Sequence, residues 1–184
     1  MMGGSGDAAF PDGRGSPACK GEPTVTNREI YVGGGLSAID AKGRVAIPAQ
    51  LRGLILENSG GAPEIGLVRS RNAPCLTCFD KPYIKRIPET LERDYAERKD
   101  PTVTREYLAR QAFATIETVP FDTSGRFIIS PLVRRLGKLE DLAYFYGVGD
   151  YIEIWNPTLA MDSDLVPEEA KIALEFFLEQ RGAK

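Results

Sequence analysis

Asp40-Ala-Lys-Gly43-Arg44-Val-Ala-Ile47-Pro48-Ala-Gln-Leu51-Arg52 returns in the second half of the chain as Asp122-Thr-Ser-Gly125-Arg126-Phe-Ile-Ile129-Ser-Pro131-Leu-Val133-Arg134. Asp, Gly, the next Arg and the final Arg keep their offsets, while Pro shifts by one. An internal repeat of this kind sets the organisation of a chain before any single element does. Asp-x-x-Gly suits a type I turn, in which Asp accepts from the backbone two residues on and Gly supplies a cheap positive φ. Stretches that read as strands flank each turn, Leu36 to Ile39 and Arg44 to Ile47 in the first copy, Ile116 to Phe121 and Arg126 to Ile129 in the second. Each copy therefore predicts a hairpin with Asp40 and Gly43, or Asp122 and Gly125, ordering its loop.

Working outward, Pro ends the second strand and opens a helical turn. Ser130-Pro131 is a good N-cap and N1 pair, whereas Ile47 offers no side-chain acceptor and predicts a weaker start. A further β-rich stretch follows each copy, Ala73 to Pro82 and Leu142 to Pro157, each ending in an aromatic, a turn and a Pro. Ser59-Gly60-Gly61-Ala62-Pro63 reads as a loop that absorbs the longer first connector. Pro82 to Phe113 predicts two helices broken near Asp100-Pro101, with Leu91, Tyr95, Tyr107, Leu108 and Phe113 at partial helical spacing. Pro167 opens an amphipathic C-terminal helix with acids in its first turn, as the helix dipole favours. Its Ile172, Phe176 and Leu178 face either the core or a partner. Residues 1–27, rich in Gly, Pro, Ser and Asp, predict a disordered arm.

Composition narrows the chemistry. The 184 residues are 42% apolar and 27% charged with a net charge of −3, enough for a real core and too apolar for whole-chain disorder. There is no His. That excludes Ser-His-Asp and Cys-His catalysis and every His-ligated metal site. No apolar run approaches a membrane span and the stretch 1–27 holds no apolar signal region, so the expected compartment is the cytoplasm. Cys75 and Cys78 form a C-x-x-C in what reads as a strand, where positions three apart point to opposite faces. Two structural thiols are expected, since only Cys19 remains as a third ligand and no helix start lowers a thiol pKa. Charge is uneven: residues 28–82 carry seven bases against five acids, and residues 161–184 three against six. An acidic total thus leaves room for a basic surface near the first motif.

Two copies of Asp-x-x-Gly-Arg with Pro and Arg at similar offsets resemble the MraZ family, built from tandem SpoVT-AbrB-like domains. Tyr31-Val-Gly33 before the first motif, Cys75-Leu76, and Gly147-Val-Gly149-Asp150-Tyr-Ile-Glu153-Ile-Trp155 fall in the family's order. The resemblance implies an α+β, mainly β fold: two swapped-hairpin halves forming a pseudo-dimeric β-barrel, with a helical connector and a C-terminal helix. Its divisions would be an N-terminal arm (1–27), a first SpoVT-AbrB-like repeat (31–83), the connector (84–111), a second repeat (112–159) and the C-terminal helix and tail (160–184). It also implies a nucleoid-associated transcription regulator of the bacterial division and cell-wall gene cluster. Such a protein binds double-stranded DNA at direct repeats upstream of its own operon as a ring-like homo-oligomer. No cofactor, metal, catalytic residue, small-molecule substrate or membrane is implied.

Lys42 and Arg44 set two cations at a loop tip, where a β-ribbon can reach phosphates or guanine edges. The family's link between this loop and DNA carries over to Asp40, Lys42 and Arg44, with Asp40 ordering the turn. In the second copy Thr123 and Ser124 leave Arg126 as the loop cation, so a smaller ionic share is expected there, with Arg126 either contacting DNA or pairing with Asp122. Arg52 and Arg134, on the helical turn beyond each Pro, are expected to have a structural role, such as salt bridges across the pseudo-repeat. An AbrB-like antitoxin, a carboxylate hydrolase on Asp40 and Asp122, and an oligomeric scaffold are the competing readings. Two full motif copies count against the first, and the lack of a nucleophile, base or metal cluster against the second.

Overall fold

A computed structural model describes residues 28–98, 100 and 102–182. The expected arm, residues 1–27, lies outside the described residues. The chain is mixed α/β rather than mainly β as expected, since among the described residues its helices span more of the chain than its short strands. Its first motif contributes β1 (Gly34–Ala38), β2 (Arg44–Ala46) and helix α1 (Ala49–Asn58), followed by β3 (Glu64–Arg69) and β4 (Leu76–Asp80). A 3-10 turn (Lys81–Arg86) leads into α2 (Ile87–Glu97) and α3 (Arg105–Phe113). The second motif supplies β5 (Glu117–Pro120), β6 (Arg126–Ile128), α4 (Pro131–Leu136), β7 (Leu142–Gly147) and β8 (Ile152–Trp155). Helices α5 (Pro157–Asp162) and α6 (Glu168–Gly182) close the chain.

The strands form two antiparallel sheets, one of six strands in the order β1-β7-β8-β4-β3-β5 and a ribbon of two, β2-β6. No closed barrel forms among the described residues, because the six-stranded sheet ends at β1 and β5 and the ribbon packs on it without pairing to either edge. The expected local hairpins are also corrected. Backbone pairing between the two arms of each Asp-x-x-Gly loop is confined to the turn, where the N–H of Asp40 donates to the carbonyl of Arg44 and that of Asp122 to Arg126. Beyond it they part: β1 pairs with β7 and β5 with β3, while β2 pairs with β6. Burial explains the choice, since facing Val45 with Phe127 across the ribbon puts both side chains in the core.

Both faces of the large sheet are covered, which is why its central strands do not alternate cleanly in polarity. One face, with Leu67, Leu76, Cys78, Phe145, Ile152 and Ile154, packs against the ribbon and against Leu51 and Ile55 of α1. On the other face, α5 and α6 cover Tyr144 and Trp155, and α2 and α3 cover Phe79 through Leu91 and Leu108. Tyr95, Tyr107 and Phe113 face solvent instead. On α6, Leu174 is buried and Leu178 half-buried, while Ile172 and Phe176 point outward.

Strand β3 has no counterpart in the sequence reading, in which Glu64–Arg69 is part of the connector. Its apolar run is interrupted by Gly66, opposite Phe79 in the β3–β4 register. A Cβ there would lie 2.2 Å from the Phe79 ring, so the glycine is where an aromatic lies across the strand. The helix starts behave as their sequences suggest. Ser130 Oγ accepts from the Val133 N–H, and α1 begins without a side-chain cap. Yet α1 is the longer of the two, because buried Leu51 and Ile55 anchor it.

A buried ion pair ties the start of the described chain to the sheet. Asp80, fully buried, accepts from Arg28 Nη1 at 2.7 Å, from the Tyr31 hydroxyl at 2.6 Å and from the Tyr83 N–H at 3.0 Å. Arg28 lies over the Tyr31 and Tyr83 rings and donates to the Asp150 carbonyl. Removing one member of such a pair strands the other in low dielectric. Asp80→Ala is expected to cost about 3–5 kcal/mol in denaturant unfolding, with Asp80→Asn, which keeps an acceptor for Tyr83, falling between it and the parent.

Candidate nucleic-acid interface

The two motif loops have the same hydrogen bonds. Asp40 Oδ1 accepts from the N–H of Lys42 and of Arg44, each at 2.9 Å, and Oδ2 accepts from Arg44 Nε at 2.6 Å. Asp122 Oδ1 takes the N–H groups of Ser124 (2.8 Å) and Arg126 (2.9 Å), and Oδ2 takes Arg126 Nε at 2.9 Å. One carboxylate thus closes the turn with one oxygen and aims an arginine with the other. Only Nε of each guanidinium is engaged among the described residues, leaving the Nη donors, a planar fork, for another acceptor. Both arginine side chains are more than half exposed.

Hydrogen bonds to the charged form hold both carboxyls below the ordinary aspartate value. The Arg44 N–H is the largest cause at Asp40 and the Arg126 N–H at Asp122.

The glycines join the loops to each other. Gly43 (φ 77°) accepts from the Ile129 N–H through its carbonyl, and Gly125 (φ 80°) accepts from the Ile47 N–H, both at 2.9 Å. Positive φ at these positions turns the carbonyl towards the opposite copy. The register Arg44↔Ile128, Val45↔Phe127, Ala46↔Arg126 is symmetric about its central pair. Side chains alternate along a strand, so Val45 and Phe127 point inward while Arg44, Ala46, Arg126 and Ile128 share the outer face. A groove of about 490 Å³ there is lined by Asp40, Arg44, Asp122, Arg126 and Ile128 among others. Lys42 is exposed at the first tip.

The structure corrects the reading of the two terminal arginines. Arg134 stays within its own copy, donating from Nε to the Leu139 carbonyl and from Nη2 to that of Glu140, with Asp141 at 3.7 Å. Its guanidinium satisfies the carbonyls beyond α4 rather than a distant acid. Arg52 does cross to the other copy but forms no salt bridge among the described residues. It lies along Gly125, where a Cβ would come within 2.9 Å of its Cδ. The second loop, with Ser124 in place of a lysine, therefore has a cation beside it from the first copy. No local sequence signal points to that contact.

The C-x-x-C carries no exposed thiol. Cys78 faces the core shared with the ribbon and Cys75 the core under α6. Burial, and next the Glu153 carboxylate, pushes the Cys75 thiol up to about 12, and burial raises Cys78 as well.

No protein-family model matches the chain. Curated relatives do match. A Ruegeria pomeroyi protein named Transcriptional regulator MraZ is 32% identical over 141 residues, 71% of this chain and 80% of the relative. This chain belongs to the MraZ family. Proteins of the same name from Thermomicrobium roseum (32% over 128 residues, 70% and 82% of the two chains) and Dechloromonas aromatica (30% over 127 residues, 69% and 81%) agree. These MraZ relatives are named as regulators of transcription, not as enzymes.

Two outcomes follow from the loop geometry. In Gly43→Ala the left-handed backbone costs about 1–2 kcal/mol, and the new Cβ would also sit 2.8 Å from the Ile129 carbonyl of the partner strand. Gly60, also at positive φ, has nothing within 4 Å of its Cβ position. Thermal unfolding should therefore show Gly43→Ala destabilised clearly more than Gly60→Ala. In a carboxyl-detected NMR titration, Asp40 and Asp122 should titrate below ordinary aspartate. Because the folded values are depressed, their contribution is full above the ordinary value and is lost as pH falls through the folded ones.

Proposed function

We propose that this chain is a DNA-binding transcriptional regulator whose outer β2–β6 ribbon face is the DNA-reading surface. The reading rests on one observation: two Asp-ordered arginines, from motifs in opposite halves of the chain, occupy one exposed face of one two-stranded ribbon. A major groove admits a two-stranded ribbon, and an arginine fork matches the O6 and N7 of guanine. Arg44 and Arg126 are the base-reading residues, Lys42 a phosphate contact, and Asp40, Gly43, Asp122 and Gly125 the residues that hold the loops. The family name of the relatives supports the same assignment.

In this account residues 31–83 and 112–159 are two interleaved SpoVT-AbrB-like repeats, 84–111 their connector and 160–184 a C-terminal addition. The exchange of β1 and β5 between the repeats' strands supports that division. Two arginine tips give modest affinity that salt erodes. A ring of copies set against evenly spaced direct repeats gains avidity instead, provided the spacings match. The sites are repeats upstream of the protein's own operon, within a division and cell-wall gene cluster, and the working place is the nucleoid in the cytoplasm.

Fluorescence anisotropy with the duplex upstream of the gene, against a scrambled duplex, tests the reading. Arg44→Ala should lose about fivefold or more for the upstream duplex, in keeping with the ~1–3 kcal/mol of a bidentate base contact. Arg126→Ala should lose less. Lys42→Ala should weaken both duplexes alike and reduce the slope of log affinity against log salt by roughly 0.9 per bound protomer. Equal weak binding to both duplexes by the parent protein would overturn the proposal and favour a protein partner.

A further inference from the structure

Ile128 is out of place for a structural residue. Its neighbours Phe127 and Ile129 are 3% and 2% exposed, whereas Ile128 is 59% exposed and belongs to none of the three apolar cores. It stands directly across the ribbon from Arg44, on the outer face. The equivalent pair at the other end of the ribbon is Arg126 with Ala46. The two arginines thus have the same backbone setting and different apolar companions, one large and β-branched, the other a single methyl.

We propose that Ile128 is a specificity-determining residue that packs on the 5-methyl group of a thymine next to the guanine contacted by Arg44. This rests on the assignment of the ribbon face to DNA. Side chains paired directly across a ribbon have Cβ atoms ~4.5–5.5 Å apart, within reach of successive base pairs stacked ~3.4 Å apart. The thymine methyl is the one apolar group on the major-groove edge, and apolar side chains recognise it. The exposed branch of Ile128 gains by leaving water only when such a surface covers it. Ala46 is too short to make the same contact beside Arg126. The ribbon therefore reads an asymmetric element: a guanine with a neighbouring thymine under Arg44 and Ile128, and a less restricted step under Arg126 and Ala46. An asymmetric reader suits sites repeated in one direction.

The test uses the full chain and the upstream duplex, with each thymine replaced in turn by deoxyuridine, which lacks only the methyl group. Parent protein and Ile128→Ala are titrated by anisotropy, after unfolding curves confirm that they are equally stable. For the parent, one thymine per protomer footprint should show a loss of about fourfold, the equivalent of one buried methylene-sized group. Ile128→Ala should bind the thymine duplex about fourfold less tightly and show no further loss at that position. A loss on demethylation that persists unchanged in Ile128→Ala, or no methyl-sensitive position in a parent that binds specifically through Arg44, overturns this inference alone. A parent that does not distinguish the upstream from the scrambled duplex overturns the DNA reading and this inference with it. A change in sedimentation of Ile128→Ala with demethylation losses like the parent's would assign the side chain to contacts between copies and overturn it too.

Discussion

The surface proposed to read DNA depends on the pairing of β2 with β6. Each strand is only three residues long, too short to stand alone, and neither pairs with the strand that precedes it in the chain. What holds them together is reciprocal. Each loop glycine offers its carbonyl to the strand end of the other copy, and each central apolar side chain enters the core opposite its counterpart. Breaking one loop therefore removes a hydrogen bond and a packing partner from the other. The same pairing places both Asp–Arg units on one face, so the stability of the ribbon and the geometry of the surface have one origin.

Much of this was legible in the sequence. The Asp-x-x-Gly turns, the Ser130 cap, the paired helices between the motifs and the opposed cysteines follow from local chemistry read at fixed offsets. Partner choice among strands does not. Nothing near Leu36 says that β1 will run beside β7 rather than β2, because what decides it is the burial of Val45 against Phe127, which lies in the other half of the chain. Strand β3 was hidden for a related reason: Gly66 weakens the strand pattern, and Phe79, which fills the space, belongs to the next strand. Asp80 reads locally as a turn residue and does cap the turn at Tyr83. Its charge, however, is answered by Arg28, far back in the sequence. The arginines after each Pro show the limit most plainly, since equal positions in the repeat gave unequal contacts.

Those unequal contacts also qualify the symmetry of the site. The two carboxylate–arginine units match bond for bond, yet their surroundings differ. The first tip carries Lys42 and faces Ile128; the second has Ser124, Ala46 and a borrowed Arg52. The two copies share the part that orders the arginine and differ in the exposed residues around it. On the proposed reading, an identical framework with a divergent rim lets one ribbon discriminate two adjacent steps of a duplex.

The most direct measurement is a TROSY NMR titration of the full chain with the upstream duplex, following arginine Nε–Hε signals together with backbone amides. The account predicts that the Arg44 and Arg126 Nε–Hε signals move together with amides of residues 42–46 and 124–128, while those of α6 stay in place. Shifts concentrated on α6 or on the loop between β3 and β4, with both arginine signals unmoved, would contradict it.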